Sequence, residues 1–472
     1  MALSSAIVWE VRTAGSDTQC GGGFKAGASG TDRSQQDAAF DSGTNLTVDG
    51  VDNTKVVPDA HTPEAADVGN LIQITAGAGF TTGFYEITAQ DGTNWTLDRS
   101  PAAVGTASGT WWLGGAVASP GKVGGAKVGN QTVYIKSGTY TISSSSNVAG
   151  GRVTDITNGA KGKWIGYGST RGDGGTKPIL NANAASMTTF TGAQNTWLEN
   201  IEFTNTGANA SVTHFSVGAA RPNVINCKFG GATAIGCSIG NAADATIRGC
   251  EVTGTTSAGT AAFQFASGSV AKVIGCTAHD NSVTGFRVTG ASTTLIDCIS
   301  ETNSGAGSEG FEATGDGCLF ENCTAYNNGS DGFLIGSGAE NSQCVNCLSV
   351  TNGGYGFNAA AALADIFLKN CAAYNNTTGT YHTNFDTGLV EGFVTLTADP
   401  FTNGAGQDFS LNATAGGGAA AKAAGYPASY AGLSTNNYPD IGAAQLQGGS
   451  TGGMVIRKFI SSAGAPTPIY VW

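Results

Sequence analysis

Apolar residues in this chain are not spaced three to four apart over any sustained stretch of its second half. They come as short runs of three to five, many rich in β-branched and aromatic residues, divided by Gly, Asn and Asp, which is the pattern of short strands and turns. One unit recurs in this pattern: an apolar residue, a variable one, a turn-former and a cysteine. The cysteines are Cys227, Cys250, Cys276, Cys298, Cys323, Cys347 and Cys371, spaced 22 to 26 residues apart. Three positions before them stand Val224, Ile247, Val273, Leu295, Phe320, Cys344 and Leu368. Immediately before them stand Asn226, Gly249, Gly275, Asp297, Asn322, Asn346 and Asn370. A fixed period of this length is the signature of a repeat architecture rather than of a disulfide framework.

Two further ladders run in phase with the first. Five residues after successive cysteines come Asn281, Asn303, Asn328, Asn352 and Asn376. Asparagine suits such a turn because it tolerates left-handed backbone angles and because its amide can bond the equivalent amide one coil away. The second ladder is Gly-Phe, at Phe286, Phe311, Phe333 and Phe357, with Phe265 before it and Tyr381 after it in nearly the same phase. Glycine turns the chain and the ring enters the interior. A single coil cannot bury such residues, whereas coils stacked at strand spacing place like on like along a continuous core. The fold class predicted is therefore all-β, a solenoid of about twelve coils that would reach roughly 60 Å at about 4.8 Å per coil. The repeat extends backward through Trp197-Leu198-Glu199-Asn200-Ile201-Glu202-Phe203, where Ile201 takes the cysteine position, to an opening strand and turn at Val133–Tyr140.

The flanks break the period. Residues 1–35 form an N-terminal segment. Residues 36–118 carry strand-like runs such as Leu71-Ile72-Gln73-Ile74, Phe84-Tyr85-Glu86-Ile87 and Trp95-Thr96-Leu97 between polar turns, predicting a small antiparallel β-barrel or sandwich. The solenoid then takes 119–415 and a C-terminal cap 416–447, since an open solenoid end invites edge-to-edge association. Residues 448–472 join a Gly-rich linker to an apolar tail that includes Met454, Val455, Ile456, Phe459, Ile460, Tyr470 and Trp472. That tail either packs back on its own solenoid or serves as a docking arm that grips a neighbour.

The Val-Tyr-Ile-Lys-Ser-Gly-Thr-Tyr opening, the Asn-Cys ladder and the Gly-Phe strands resemble right-handed parallel β-helix proteins of the pectate-lyase-like class. The resemblance covers about 300 residues and implies the fold, while that architecture hosts lyases, hydrolases, adhesins and phage spikes alike. The stretch from Trp9-Glu10-Val11-Arg12 to Gly114-Gly115-Ala116 is similar to a module of bacteriophage β-helix proteins. Together these resemblances imply a virion structural or surface protein without catalytic activity: a capsid decoration, a head fibre or a tail-associated spike. By analogy with such spikes they imply a homotrimer that contacts capsid or tail proteins and host-surface polysaccharide. The alternatives are a polysaccharide-degrading, tailspike-like glycosidase or lyase, and a glycan-binding adhesin.

Composition narrows the partners. Only 12% of residues are charged and the net charge is −12, which opposes binding to phosphate backbones and anionic lipid. Nucleic-acid binding and membrane insertion are not expected. The N-terminus has no basic region before a long apolar stretch, so synthesis in a host cytoplasm without an export signal is expected, with the virion surface as destination.

Candidate chemistry is sparse. Most of the eleven cysteines sit in repeat positions, as small apolar core residues do; Cys20 lies outside the repeat. Cys344 and Cys347 form a C-x-x-C without a second pair at zinc spacing, so no metal site is predicted there. Gly305–Gly310 matches G-x-G-x-x-G but is followed by no helix, and Arg171-Gly172-Asp173 is a tripeptide expected by chance. The four histidines are scattered, without a hydrolase motif. What remains is a stacking argument. Glu309 and Asp331 each lie two residues before a ladder phenylalanine, which makes them neighbours on adjacent coils, with Glu312 close by. Carboxyls about 5 Å apart can serve a retaining glycosidase as nucleophile and acid, and such a pair could also hold Ca²⁺. Against this, Arg287 and Glu312 occupy equivalent outward positions on successive coils and form an expected surface ion pair. No cofactor is otherwise predicted.

Overall fold

The computed structural model describes residues 3–144, 151–155, 162–183, 186–206, 211–257, 259–361, 365–385, 389–422, 424–426 and 440–444. The linker and the apolar tail from Met454 to Trp472 lie outside the described residues. The chain divides into two units, Met1–Gly207 and Ala208–Trp472.

The first unit holds a closed barrel of six strands between Asp41 and Leu113, its neighbouring strands antiparallel. Trp95 and Trp111 fill it edge to face, their centroids 5.0 Å apart, and both are fully buried. Closure leaves no free edge in the module. The unit also begins the solenoid. Ile7–Val11 pairs in parallel with Thr132–Lys136, which pairs with Lys163–Tyr167, which pairs with Trp197–Glu199. Thr139–Ile142, Ile179–Ala182 and Glu202–Asn205 form a second parallel set.

The second unit is a parallel β-helix of eight coils with three faces. On the first face, Asn223–Ile225 pairs in register with Ala245–Arg248, and so on to Phe367–Lys369 and Val390–Glu391. Among the described residues eight coils stand in this unit and three strands of the first unit show the same parallel pairing, against about twelve coils expected; the chain leaves the solenoid after Val394–Thr395, which still pairs with Ala372–Tyr374 on the second face. The segment from Phe401 onward turns back as a hairpin, Phe401–Asn403 with Asp408–Leu411, and a short helix, Gly418–Ala421. Phe401, Phe409, Leu411, Ala421 and Ile441 then cover Leu348, Val350 and Ala372 on the flank of the second face. This C-terminal segment shields a sheet face that would otherwise be exposed.

Inside, the ladder residues do what stacking demands. Val224, Ile247, Val273, Leu295, Phe320, Cys344 and Leu368 are fully buried on the first face. Behind them run the cysteines, all free and buried. Each thiol hydrogen bonds locally: Cys298 Sγ donates to Ile296 O at 3.3 Å and Cys347 Sγ to Phe320 O at 3.3 Å. Burial raises the thiols of Cys250, Cys276, Cys298 and Cys323, and that of Cys20 to about 12, so they persist as thiols rather than nucleophilic thiolates.

The rings stack nearly parallel: Phe263 on Phe286 at 4.8 Å, Phe286 on Phe311 at 5.0 Å, Phe311 on Phe333 at 4.8 Å and Phe333 on Phe357 at 4.9 Å. The first member is Phe263, not Phe265, which pairs with Val288 instead.

The asparagine ladder forms through its amides. Nδ2 of Asn281, Asn303, Asn328 and Asn352 donates to Oδ1 of the next at 2.8, 2.8, 2.9 and 2.9 Å, ending on Asn376. The left-handed residue is the one before each: Asp280, Thr302, Asn327, Thr351 and Asn375, with φ of +51 to +54°. Amide stacking, and not tolerance of a left-handed angle, therefore accounts for asparagine at the ladder itself.

A second set of left-handed corners precedes the cysteines, at Asn226, Asp297, Asn322, Asn346 and Asn370. Here Asn346 Nδ2 donates to Asn322 Oδ1, and Asn322 Nδ2 to Asp297 Oδ1, both at 3.2 Å. Burial, aided by nearby Glu321, raises the Asp297 carboxyl to about 6 against the restoring bond from Asn322. A carboxyl raised in the folded state binds a proton that the unfolded chain has lost. Stability from this group accordingly falls as pH climbs from about 4 to about 6, and the penalty is complete above that. Asp297→Asn keeps both the corner conformation and the acceptor for Asn322. It is expected to stabilise the protein by about 1–2 kcal/mol at pH 7, after allowance for partial exposure, and by nothing near pH 4. Urea unfolding at both pH values checks this, and an equal effect at both would refute the electrostatic account.

Candidate functional site

The third face of the second unit carries the sequence-nominated carboxyls. Phe286, Phe311 and Phe333 lie in register, so the residues two before them, Thr284, Glu309 and Asp331, form a column. Gly310 N donates to Asp331 O at 2.9 Å, joining the two coils beside the acids. Both carboxyls are nearly buried, Glu309 at 8% and Asp331 at 7% exposure. Thr284 Oγ1 donates to Glu309 Oε2 at 2.8 Å. Burial raises the Glu309 carboxyl, and the negative charges of Glu312 and Asp331 push the same way against the bond from Thr284.

Asp331 is committed to the following coil. One oxygen accepts from Tyr355 N at 2.6 Å and the other from Asn358 Nδ2 at 2.7 Å. A β-carbon at Gly354 would stand 2.2 Å from Asp331 Oδ1, so glycine there is what lets the carboxylate reach that backbone. Glu312 is held by Arg287, Nε to Oε2 at 2.5 Å, and Arg287 Nη1 donates in turn to Gly259 O at 2.7 Å. Chemically, Glu309 can retain and release a proton, but the two carboxylates beside it are spent on bonds within the coils. A retaining mechanism needs one of them free as nucleophile, and an oxygen cage for Ca²⁺ would need both.

Other sequence features resolve into structure. In the first unit Arg171 pairs with Glu10 at 2.7 Å and Asp32 at 2.9 Å, while Asp173 accepts backbone N–H bonds from Gly168, Ser169, Thr170 and Gly175. Gly305–Gly310 is a turn leading into the strand Phe311–Ala313. Cys344 and Cys347 are both buried in the interior.

Two features had not been singled out from the sequence. His61, Glu64 and Asp67 lie close enough to ligate a metal. Arg33, however, pairs with both Glu64 and Asp67, and Asp67 also accepts from Trp95 Nε1 at 2.8 Å, so the cation this cluster calls for is already a guanidinium. The second feature is an open groove of about 520 Å³ on the first face of the second unit. Thr246, Lys272, Thr294 and Leu319 form one outward column along it, with Ile296 and Glu321 in the next. These residues stand four and two positions before the cysteines, which is where a strand alternating about the inward residue must point outward.

The three-faced parallel coil defines the class of protein: a right-handed parallel β-helix. The right handed beta helix region family matches residues 179–314. Among solved structures, pectate lyase Pel9A is 17% identical, with a TM-score of 0.53 over 71% of this chain and 92% of that one. ORF18 of Geobacillus virus E2 is 12% identical, with a TM-score of 0.37 over 56% of this chain and 52% of that one. A rhamnogalacturonan lyase is 18% identical, with a TM-score of 0.32 over 60% and 70%. No curated protein matches the sequence. Identities this low speak for the fold alone. Among the described residues no helix is long and apolar enough to cross a membrane.

Proposed function

We propose that the chain is a structural protein of a bacteriophage virion surface, a capsid decoration, head fibre or tail-associated spike, that works without catalysis. The observation carrying the non-catalytic reading is the fate of the acids on the third face: Asp331 ties Tyr355 and Asn358 in place and Glu312 neutralises Arg287. Carboxylates used this way hold coils together. The virion assignment rests on the N-terminal stretch similar to phage β-helix modules and on a solenoid whose sequence continues into a Gly-rich linker and an apolar tail. In this reading the tail, including Met454, Val455, Ile456, Phe459, Ile460, Tyr470 and Trp472, docks on capsid or tail proteins, and the assembly is a homotrimer.

Co-sedimentation with phage particles tests the assignment, using the full chain beside a version ending at Gly448. The full chain is expected to pellet with particles and the shortened one to stay in solution. Equal behaviour of the two would remove the docking role of the tail.

A second reading, a polysaccharide hydrolase or lyase, is favoured by one observation, the raised Glu309 carboxyl. It requires measurable cleavage of bacterial surface polysaccharide that Glu309→Gln abolishes. The scaffold reading expects no cleavage by the native chain and unchanged particle binding by Glu309→Gln.

A further inference from the structure

Within the first unit lies an ion pair that the proposed function does not use. Lys127 follows the helix Pro120–Ala126, and Asp155 follows the strand Val153–Thr154. Nζ of Lys127 stands 3.0 Å from Oδ1 of Asp155, with the two side chains 0% and 1% exposed. The surroundings are aromatic: the Trp164 ring is centred 5.9 Å from the ammonium, and Phe190 meets Trp164 edge to face. A β-carbon at Gly162 would stand 2.2 Å from Asp155 Oδ2, so glycine opens the space that the carboxyl occupies.

As an ion pair this arrangement is poor. An ammonium carries three donors, and among the described residues Lys127 Nζ makes no well-formed hydrogen bond besides its charge contact with Asp155. Burying two charges is repaid only when geometry is good and the remaining donors are satisfied. As the reactants of a condensation it is much better. The nitrogen lies 3.0 Å from one carboxyl oxygen, and burial of both side chains holds the two groups together. The far oxygen is also prepared. Ala193 N donates to Thr196 Oγ1 at 2.8 Å, which leaves the threonine proton for Asp155 Oδ2 at 3.1 Å. That hydroxyl can hold an oxyanion as it forms.

We propose that Lys127 and Asp155 condense after folding into an intramolecular isopeptide bond. Transfer of one proton within the pair gives an amine and a carboxylic acid. The nitrogen lone pair attacks Cγ, and the developing charge on Oδ2 is held by Thr196. The Cγ–Oδ1 bond then breaks. Oδ1 leaves as water with the acid proton and one proton from nitrogen, and Oδ2 becomes the amide carbonyl oxygen. No oxidant or other co-reactant enters. The product replaces two buried charges by a neutral amide and closes a covalent loop across the start of the solenoid. Such a loop restricts the unfolded chain as a disulfide does, without depending on redox conditions.

Intact-mass spectrometry of the full chain, denatured and reduced, tests this directly. The native protein is expected to be lighter than its sequence mass by one water. Protease digestion should yield one branched peptide joining the segments around Lys127 and Asp155. Lys127→Met and Asp155→Ala should each restore the sequence mass. Thr196→Val keeps the shape of the site and should slow the loss of water in freshly made protein. A native chain at full sequence mass after prolonged incubation, with separate Lys127 and Asp155 peptides, would overturn the proposal whether or not the variants fold.

Discussion

Phe311→Ala is expected to lower the stability of the protein by about 4 kcal/mol, among the largest effects of any single substitution in the chain. Phe311 is fully buried and lies mid-stack, with Phe286 at 5.0 Å on one side, Phe333 at 4.8 Å on the other and the edge of Phe320 at 5.8 Å. Truncation removes the buried area of a ring, leaves a cavity and breaks three aromatic contacts at once. The backbone around the gap is fixed by parallel pairing to both neighbouring coils, so the site cannot collapse. Two controls separate these terms. Phe311→Leu refills most of the space and should cost about 1.5 kcal/mol. Phe263→Ala, at the end of the stack, loses one stacked neighbour rather than two and should cost about 3 kcal/mol. Urea unfolding followed by far-ultraviolet circular dichroism measures all three. If Phe311→Leu proved as damaging as Phe311→Ala, stacking itself and not cavity formation would dominate.

The interior was legible in the sequence because each inward position meets its own copy one coil away, and self-contact selects the same side chain repeatedly. That is why the cysteines, Val224 to Leu368 and the asparagines could be placed from spacing. Legibility fails where coil lengths vary. Phe286, Phe333 and Phe357 fall ten residues after their cysteines, but Phe263 and Phe311 fall thirteen after Cys250 and Cys298. The turn into the third face absorbs the extra residues, so a fixed count of ten from Cys250 reaches Thr260 and does not choose between the nearby Phe263 and Phe265. Adjacent Asn-Asn pairs hide a second distinction. In Asn327-Asn328 and Asn375-Asn376 one residue takes the left-handed angle and the next carries the amide ladder, and composition does not say which. The outward columns were not legible. Lys272, Thr294 and Leu319 are successive neighbours of unlike chemistry, because solvent imposes no repetition on them. The acids near the third face and the Arg287–Glu312 pair were found by phase, but the donors that occupy Asp331, Tyr355 N and Asn358 Nδ2, belong to the following coil and emerge only with the register.

Asn328→Ala is expected to cost about 4 kcal/mol, comparable to loss of the ring although far less apolar area is involved. Asn328 is 3% exposed and fully engaged. Its Oδ1 accepts from Asn303 Nδ2 at 2.8 Å and from Asn303 N at 3.3 Å, and its Nδ2 donates to Asn352 Oδ1 at 2.9 Å and to Ser300 O at 3.0 Å. Alanine therefore takes one of three acceptors from Asn303 Nδ2, leaves Asn303 N without its amide acceptor, and leaves the Ser300 carbonyl and the Asn352 amide oxygen each short of a donor, all inside the turn. Each buried group left without a partner costs about 1–3 kcal/mol, and partial entry of water brings the sum down to the figure given. Position along the ladder supplies the control. Asn376 is its last member, accepting from Asn352 Nδ2 and N at 2.9 Å and donating to Ser349 O at 3.1 Å; it is only half-buried, so water can replace the lost amide and Asn376→Ala should cost about 2 kcal/mol. Asn328→Asp keeps the acceptor and removes the donor. It should be tolerated better at acid pH, where a protonated carboxyl can still donate to Asn352, than at neutral pH, where a buried carboxylate faces the Asn352 oxygen. Urea midpoints of the three variants at pH 4 and pH 7 give the comparison. A pH-independent Asn328→Asp, or an Asn328→Ala no worse than Asn376→Ala, would mean that the coils are held by their backbone pairing and that the amide ladder is incidental to stability.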